Sequence, residues 1–277
     1  MDLRTTLSLL LLLLLGLSDA QLGNVCTIYN EHSEIAVDNS DLEDFTTTIL
    51  RMNNGSKDFL LEGDVLIPKT RNAMKCFHKQ YSCMWSKSAN GNVEIPYLIS
   101  DKYDRTERSE ILSAMKDFEY KTCIRFIPRS RQRAYLSIEP RFGCASILGR
   151  SGDKQVLSLQ RYGCIRRGII QHEMLHALGF YHEHTRSDRD QYVKINWDNI
   201  NEYYTYNFRK KDTDNLNTPY DYGSVMHYGR TAFGKRFRLE TIIPIPDASV
   251  SIGQREEMSK IDIERVNKLY KCWNYMG

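Results

Sequence analysis

The sequence predicts an α+β fold arranged as two lobes around a cleft. Three observations carry this expectation. Short strand-like and helix-like runs follow one another between residues 93 and 178, a long stretch from Arg186 to Met258 is loop-rich, and a last helical segment runs from Ser259 to Tyr270. No internal repeat or low-complexity linker divides this body, so it reads as one catalytic-sized unit.

Each element has its own signal. Val93-Glu94-Ile95-Pro96-Tyr97-Leu98-Ile99 reads as a strand, and Pro96, which has no ladder donor, favours an edge position. Thr106 to Tyr120 reads as an amphipathic helix with Ile111, Leu112, Met115 and Phe118 on one face. Thr122 to Ile127 and Ala134 to Ile138 read as further short strands. Arg167 to Leu178 is a helix with apolar Ile169, Ile170, Met174, Leu175 and Leu178, stopped by Gly179. Ser259 caps the last helix, with Asp262 three residues on.

Ahead of the body, Arg4 precedes an unbroken leucine-rich run, Leu7 to Leu15, that ends at Ser18-Asp19-Ala20. A charged start, a short apolar core and small residues at minus three and minus one read as a secretory signal peptide cut after Ala20. The run is too short for a membrane anchor, which needs about 20 apolar residues. Residues 1–20 are therefore a leader, and the rest is expected to be soluble, with no membrane partner.

Charge divides what remains. Residues 21–71 carry nine acidic and four basic side chains, a balance of −5, whereas residues 72–277 carry 24 and 33, a balance of +9. The first segment is poor in aromatics and looks weakly ordered by itself. An acidic piece ahead of a basic body suggests a removable cover, residues 21–71. Lys69-Thr70-Arg71 then offers a trypsin-like protease a cut between Arg71 and Asn72. The basic body has no clustered Lys/Arg helix and no aromatic-interleaved basic patch, so nucleic acid is not an expected partner.

Of seven cysteines, Cys26 lies in the cover and six lie beyond Arg71: Cys76, Cys83, Cys123, Cys144, Cys164 and Cys272. An even number in a secreted body implies disulfides, and six cysteines allow 15 pairings. Locality favours Cys76 with Cys83 and Cys144 with Cys164, which leaves Cys123 and Cys272 as a long staple. No CxxC occurs to suggest a cysteine metal site. One glycosylation sequon, at Asn54, also falls in the cover.

The chemistry concentrates in His172-Glu173-Met174-Leu175-His176-Ala177-Leu178-Gly179-Phe180-Tyr181-His182. Positions i and i+4 share a helix face, so His172 and His176 can hold one metal ion. Gly179 can adopt the left-handed turn that ends the helix and brings His182 to the same ion. Three neutral imidazoles leave a fourth position for water, the pattern of a catalytic rather than a structural zinc. Glu173 is the natural general base for that water, whose pKa zinc lowers from about 15.7 to about 7. A hydroxide attacking a peptide carbonyl follows. Ser224-Val225-Met226-His227-Tyr228 supplies a second signal, a methionine turn, which together with the extended histidine motif defines the metzincins. Met226 is expected as the apolar floor, and Tyr228 as a phenol within reach of the metal or the oxyanion. His32, His78, His184 and His227 have no ligand spacing of their own. The tyrosines at 203, 204, 206, 220 and 222 either line the cleft or pack a loop-rich lobe.

HEMLHALGFYHE (His172 to Glu183) and SVMHY (Ser224 to Tyr228) resemble the astacin family of metzincins, with Arg71 to Cys76, Gly179 to Asp190 and Asn217 to Tyr228 closest to its hatching-enzyme subgroup. The resemblance runs from the cover to Cys272. It implies an N-terminal lobe of twisted sheet and helices over an irregular C-terminal lobe, with one zinc on His172, His176 and His182. It implies Glu173 as base and Tyr228 completing the resting sphere. Leu61-Glu62-Gly63-Asp64 matches the family's latency segment, with Leu61 in place of the usual aromatic, so Asp64 would bind zinc until the cut after Arg71. The implied disulfides are Cys123–Cys272, Cys144–Cys164 and, for the subgroup, Cys76–Cys83. Glu183 pairs in the family with the new N-terminus, although the extended Asn72–Cys83 stretch alters that end here.

The expectation is thus a monomeric secreted zinc endopeptidase, stored as a zymogen in secretory granules, acting on egg-envelope glycoproteins. A related protease of another tissue with broader substrates, or a non-catalytic zinc-dependent envelope-binding protein, are the rival readings.

Overall fold

Residues 44–67, expected to lack order by themselves, form a helix and a hairpin laid against the body. The computed structural model describes residues 44–58, 60–67, 83–236, 238–254 and 256–275. The expected signal peptide, Cys26, His32, the expected cut between Arg71 and Asn72, Cys76 and His78 lie outside them. All described residues belong to one unit, Glu43–Gly277.

Helix α1 (Phe45–Asn53) starts at Asp44, whose carboxylate accepts from the Thr47 backbone N–H at 2.9 Å. Its Ile49 and Met52 are buried in the main core of the body. Asn53 fixes its far end, donating to the carbonyls of Gly63 (2.8 Å) and Cys144 (2.7 Å) and accepting from Cys144 N–H (2.9 Å). Strands β1 (Leu60–Leu61) and β2 (Val65–Leu66) form the hairpin. The segment has too little apolar surface for a core of its own, so its order comes from the surface it covers.

In the body, β3 (Val93–Ile99) leads to α2 (Arg105–Lys121), followed by β4 (Ile124–Pro128), β5 (Tyr135–Glu139), β6 (Cys144–Ile147) and β7 (Lys154–Leu159). The sheet order is β1-β2-β6-β7-β5-β3-β4, parallel except for the β1–β2 and β6–β7 pairs. The sequence signals missed β6 and β7, each too short for a clear alternation.

Two expectations need correction. Pro96 is not on an edge strand, because β3 pairs with both β4 and β5; the β5 pairing begins only at Tyr97, so Pro96 has no ladder partner on that flank. In α2 the buried face is Ile111, Ala114, Met115 and Phe118, and Leu112 is exposed. Positions 111, 114, 115 and 118 keep the i, i+3, i+4, i+7 spacing, which Leu112 breaks. Full burial of a side chain such as Ile111 or Phe118 contributes about 1.5–3 kcal/mol. An Asp104–Glu107 capping box starts the helix.

Helix α3 (Arg167–Leu178) is buried from Gly168 onward, so it runs through the protein rather than along its surface. Gln171 ties it on both sides, donating to Asp117 (2.7 Å) and accepting from Met258 N–H (2.8 Å). Beyond it the chain is irregular, as expected: short 3-10 turns and one two-stranded ladder, β8 (Val193–Ile195) with β9 (Ile242–Pro244). Helix α4 (Lys260–Leu269) carries the expected Ser259–Asp262 capping box.

Two hydrophobic cores fill the body, and the larger joins the sheet to the methionine turn and to the final helix through Val266 and Tyr270. The larger gathers the sheet, α2 and α3 with Val225, Met226 and Cys272; the smaller contains Val193, Phe208, Tyr220, Tyr228 and Ile242. Disulfides Cys123–Cys272 and Cys144–Cys164 are present as expected, and Cys83 is also disulfide-bonded. Among the described residues no helix is long and apolar enough to cross a membrane.

Candidate active site

Three histidines meet where the two cores adjoin. His172 and His176 face the same way from α3, one turn apart, with ring centroids separated by 4.7 Å. Gly179 ends the helix with φ 106°, a left-handed conformation; a Cβ there would meet nothing, so backbone geometry alone calls for glycine. The turn returns the chain so that the His182 ring lies 5.0 Å from His172 and 4.7 Å from His176.

Each ring is oriented by its outer nitrogen. His172 Nδ1–H donates to Val225 O at 2.8 Å, His176 Nδ1–H to Phe180 O at 2.7 Å, and His182 Nδ1–H to Glu62 Oε2 at 2.8 Å. All three Nε2 atoms therefore turn inward. There they meet Asp64: Oδ2 is 3.0 Å from His172 and 3.2 Å from His182, and Oδ1 is 3.3 Å from His176. The ligand atoms of these four buried residues lie within 4.8 Å of one another.

This donor set fits zinc. His176 Nε2 and Asp64 Oδ1, though 3.3 Å apart, are buried with no hydrogen-bond partner, which a cation between them would satisfy. Three imidazoles with outer acceptors and one carboxylate oxygen are borderline ligands in the number zinc prefers.

The electrostatics follow from a carboxylate buried among imidazoles. Burial alone would raise the Asp64 pKa, but His182, His176 and His172 outweigh it and hold the group well below its usual range. Burial pulls His172 down to about 4. Burial also acts to lower His182, but Asp64 and Glu62 prevail and lift it to about 9. Glu173 is wholly buried, and neither oxygen has a hydrogen-bond partner; burial first, and then the Asp64 charge, push its pKa well up.

The methionine turn closes the site from below. Met226 is buried in the main core, its N–H donating to Ser224 Oγ (3.0 Å) and its carbonyl accepting from Glu183 N–H (3.0 Å). The Tyr228 ring lies 4.6 Å from His182 and stacks on His184 at 3.8 Å. Its hydroxyl donates to the backbone carbonyl of Glu62, so the phenol is engaged by the N-terminal segment. His184 and His227 stay outside the cluster. His184 Nε2–H donates to Asn207 O, and His227 bonds Tyr220 OH and Tyr228 O. Of the tyrosines, Tyr220 is core, while Tyr204 and Tyr206 line a cavity shared with α1.

Three participants were not read from the sequence. Glu62, wholly buried, holds His182 and pairs with Lys211 Nζ at 3.2 Å. Asp262 accepts from Ser224 Oγ (2.6 Å) and Val225 N–H (3.0 Å), tying the methionine turn to α4. Arg265 takes both oxygens of Glu183, at 2.5 and 2.8 Å, so in this state Glu183 is already paired within the body. A charged residue inside the apolar run Leu60 to Leu66 was the available signal for Glu62; Asp262 and Arg265 showed none beyond the capping box.

A helix presenting two inward imidazoles, a glycine turn returning a third, a buried carboxylate beside the first and a methionine turn beneath define a metzincin-type zinc peptidase. The comparisons with known proteins narrow the class. The model of the Astacin peptidase family matches residues 78–271, and the chain belongs to that family. It is accordingly a zinc metalloendopeptidase. The low choriolytic enzyme of Oryzias latipes is 63% identical over 272 residues, spanning 98% of this chain and 100% of that protein. High choriolytic enzyme 2 of the same fish is 51% identical over 285 residues, spanning 98% and 100%. The solved structure of its high choriolytic enzyme 1, a hatching enzyme zinc-protease, superposes with a TM-score of 0.69 at 55% identity, covering 72% of this chain and 99% of that one.

Proposed function

We propose that the chain is the secreted, latent precursor of an egg-envelope-digesting endopeptidase, and that residues 21–71 are the block that keeps it inactive. The observation that carries this is the Asp64 carboxylate among the three Nε2 atoms, delivered by a segment whose described residues lie over the body. The family model begins at residue 78, beyond this segment, and the choriolytic relatives support the substrate.

Gly63 is central to the delivery. With φ 82° it lets the hairpin tip reach inward, and a Cβ would fall 2.4 Å from Leu50 Cδ2 and 2.9 Å from Phe233 Cζ. His172, His176 and His182 would hold the zinc, with Asp64 as a further ligand until a trypsin-like protease cuts between Arg71 and Asn72. Bound zinc supplies Lewis acidity, polarising the scissile carbonyl and acidifying a water. The chain does the rest. Withdrawal of β2, which pairs with β6 at Val65–Ser146 and Leu66–Ile147, frees a strand edge on which an extended substrate can lie. Glu173, one residue past the first ligand and with no competing donor, takes the proton from water and returns it to the leaving amine. Tyr228, released from the Glu62 carbonyl, donates its hydroxyl to the developing oxyanion.

The test is direct. Precursor treated with trypsin should dissolve an egg-envelope preparation and lose that activity in a zinc chelator. Digestion of casein but not of envelope would keep the peptidase and remove the hatching assignment. An Asp64→Ala precursor should hydrolyse a peptide before any trypsin is added, at rates well above the wild-type precursor. Equal silence from both would show that Asp64 is not the lock.

A further inference from the structure

We propose that the recess filled by the Glu62 side chain becomes, once the N-terminal segment has left, a subsite for an acidic side chain of the substrate, with Lys211 as the residue that selects it. This rests on reading that segment as a removable block.

Glu62 enters the body as an inserted side chain would. It is fully buried, and its carboxylate is held by groups of the body. Oε2 accepts from His182 Nδ1–H at 2.8 Å and from the His182 backbone N–H at 3.3 Å, while Oε1 faces Lys211 Nζ at 3.2 Å. Its backbone is gripped too, its N–H donating to Asn207 Oδ1 at 2.8 Å and its carbonyl accepting from Tyr228. The residue adopts φ 53°, a left-handed conformation that a β-carbon disfavours, so these contacts outweigh a local cost. A buried carboxylate is stable only where donors and a cation compensate for lost water, and this recess supplies both.

The walls do not depend on the segment. Lys211 N–H donates to Thr185 O at 2.7 Å, and its ammonium lies over the Tyr181 ring, 5.4 Å from the centroid. Arg189 bonds the carbonyls of His184 (2.7 Å) and Phe208 (2.8 Å), fastening the stretch that carries Asn207 to the turn that carries His182. Lys210 is turned to Asp190 at 2.8 Å, and among the described residues the one ion pair of Lys211 is with Glu62. Withdrawal of Glu62 therefore leaves an ammonium, an imidazole N–H and a backbone N–H converging beside the histidine cluster. A substrate carboxylate one side chain away from the scissile bond restores what Glu62 supplied.

The experiment uses trypsin-activated enzyme and peptides that differ only in carrying Glu or Gln, moved in turn through the four positions flanking the scissile bond. At one of these positions kcat/KM should favour Glu by about fivefold, the upper scale of a partly exposed ion pair, since Lys211 faces Oε1 at 3.2 Å without a hydrogen bond. Lys211→Met should bring that ratio to about one, Lys211→Arg should keep it, and Lys211→Glu should invert it. A readout without turnover uses activated Glu173→Gln protein and the peptide Leu60–Ile67. Replacing Glu62 of the peptide by Gln should weaken binding severalfold to the protein with Lys211 and not to Lys211→Met. Equal rates for Glu and Gln at every position, or a preference that survives in Lys211→Met, would overturn the subsite. No cleavage of any peptide by the activated enzyme would sink the reading of the segment as a block, and the subsite with it.

Discussion

Glu173 is a carboxylate buried without a single hydrogen-bond donor, a placement that stability alone does not favour. Replacing it by Gln removes the charge and keeps the shape. Activated Glu173→Gln enzyme should therefore lose roughly a thousandfold in kcat/KM, within the range general acid–base groups contribute. Its precursor should melt no lower than wild type. Activity within tenfold of wild type would remove Glu173 from the proton transfers. Such residues were legible because their relationship is local: one turn of helix relates His172, Glu173 and His176, and one glycine turn adds His182. Asp64 was legible only by resemblance. Glu62 showed only as a charge inside an apolar run, and Lys211 and Asn207 were not legible at all, since their meeting depends on a hairpin docking far from its own sequence.

At the scale of elements, α4 does more than end the fold. The Asp262 carboxylate accepts from Ser224 Oγ, Val225 N–H and Ser259 N–H, so all three neighbours are donors. Burial pushes its pKa up, with the nearby Asp221 charge acting the same way, and those donors only partly offset the rise. An asparagine can keep its oxygen on the two N–H groups only by turning its NH2 to Ser224 Oγ, whose hydroxyl proton then loses its acceptor. Asp262→Asn should cost about 2–3 kcal/mol, the penalty of a buried unsatisfied group, and should slow the activated enzyme by shifting the methionine turn. Ser259→Ala, which removes the cap and the Ser259 Oγ bond to Asp221 but leaves Asp262 on the methionine turn, should cost about 1–2 kcal/mol with little effect on rate. Urea midpoints of the two precursors, with peptide hydrolysis after activation, separate these outcomes; equal losses in both would mean that Asp262 is only a cap. The capping box was visible as Ser259 and Asp262, because capping is a three-residue pattern. Its reach across 37 residues to Val225 was not. Helices α2, α3 and α4 were legible from periodicity and caps, whereas β6 and β7 depend on pairing that four to six residues do not announce.

Across the whole molecule, the two described disulfides constrain very different lengths of chain. Cys123–Cys272 spans 149 residues and fastens the end of α4 to the junction of α2 and β4; Cys144–Cys164 spans 20 and fastens β6 to the approach of α3. Chain entropy assigns them about 5 and about 3 kcal/mol. Their effects on latency should run the other way. Strand β6 holds the N-terminal segment through Asn53, through Ser146 N–H on Asp64 O at 3.1 Å, and through its pairing with β2. Loosening β6 therefore loosens Asp64, whereas loosening α4 leaves that edge in place. A Cys123→Ala/Cys272→Ala precursor should show the larger drop in guanidinium midpoint and remain silent before trypsin. A Cys144→Ala/Cys164→Ala precursor should lose less stability yet hydrolyse peptide without trypsin, at a rate that rises in mild denaturant well below its unfolding midpoint. If trypsin-independent activity instead follows global stability across both variants, the segment is held by the fold as a whole and not by the β6 edge.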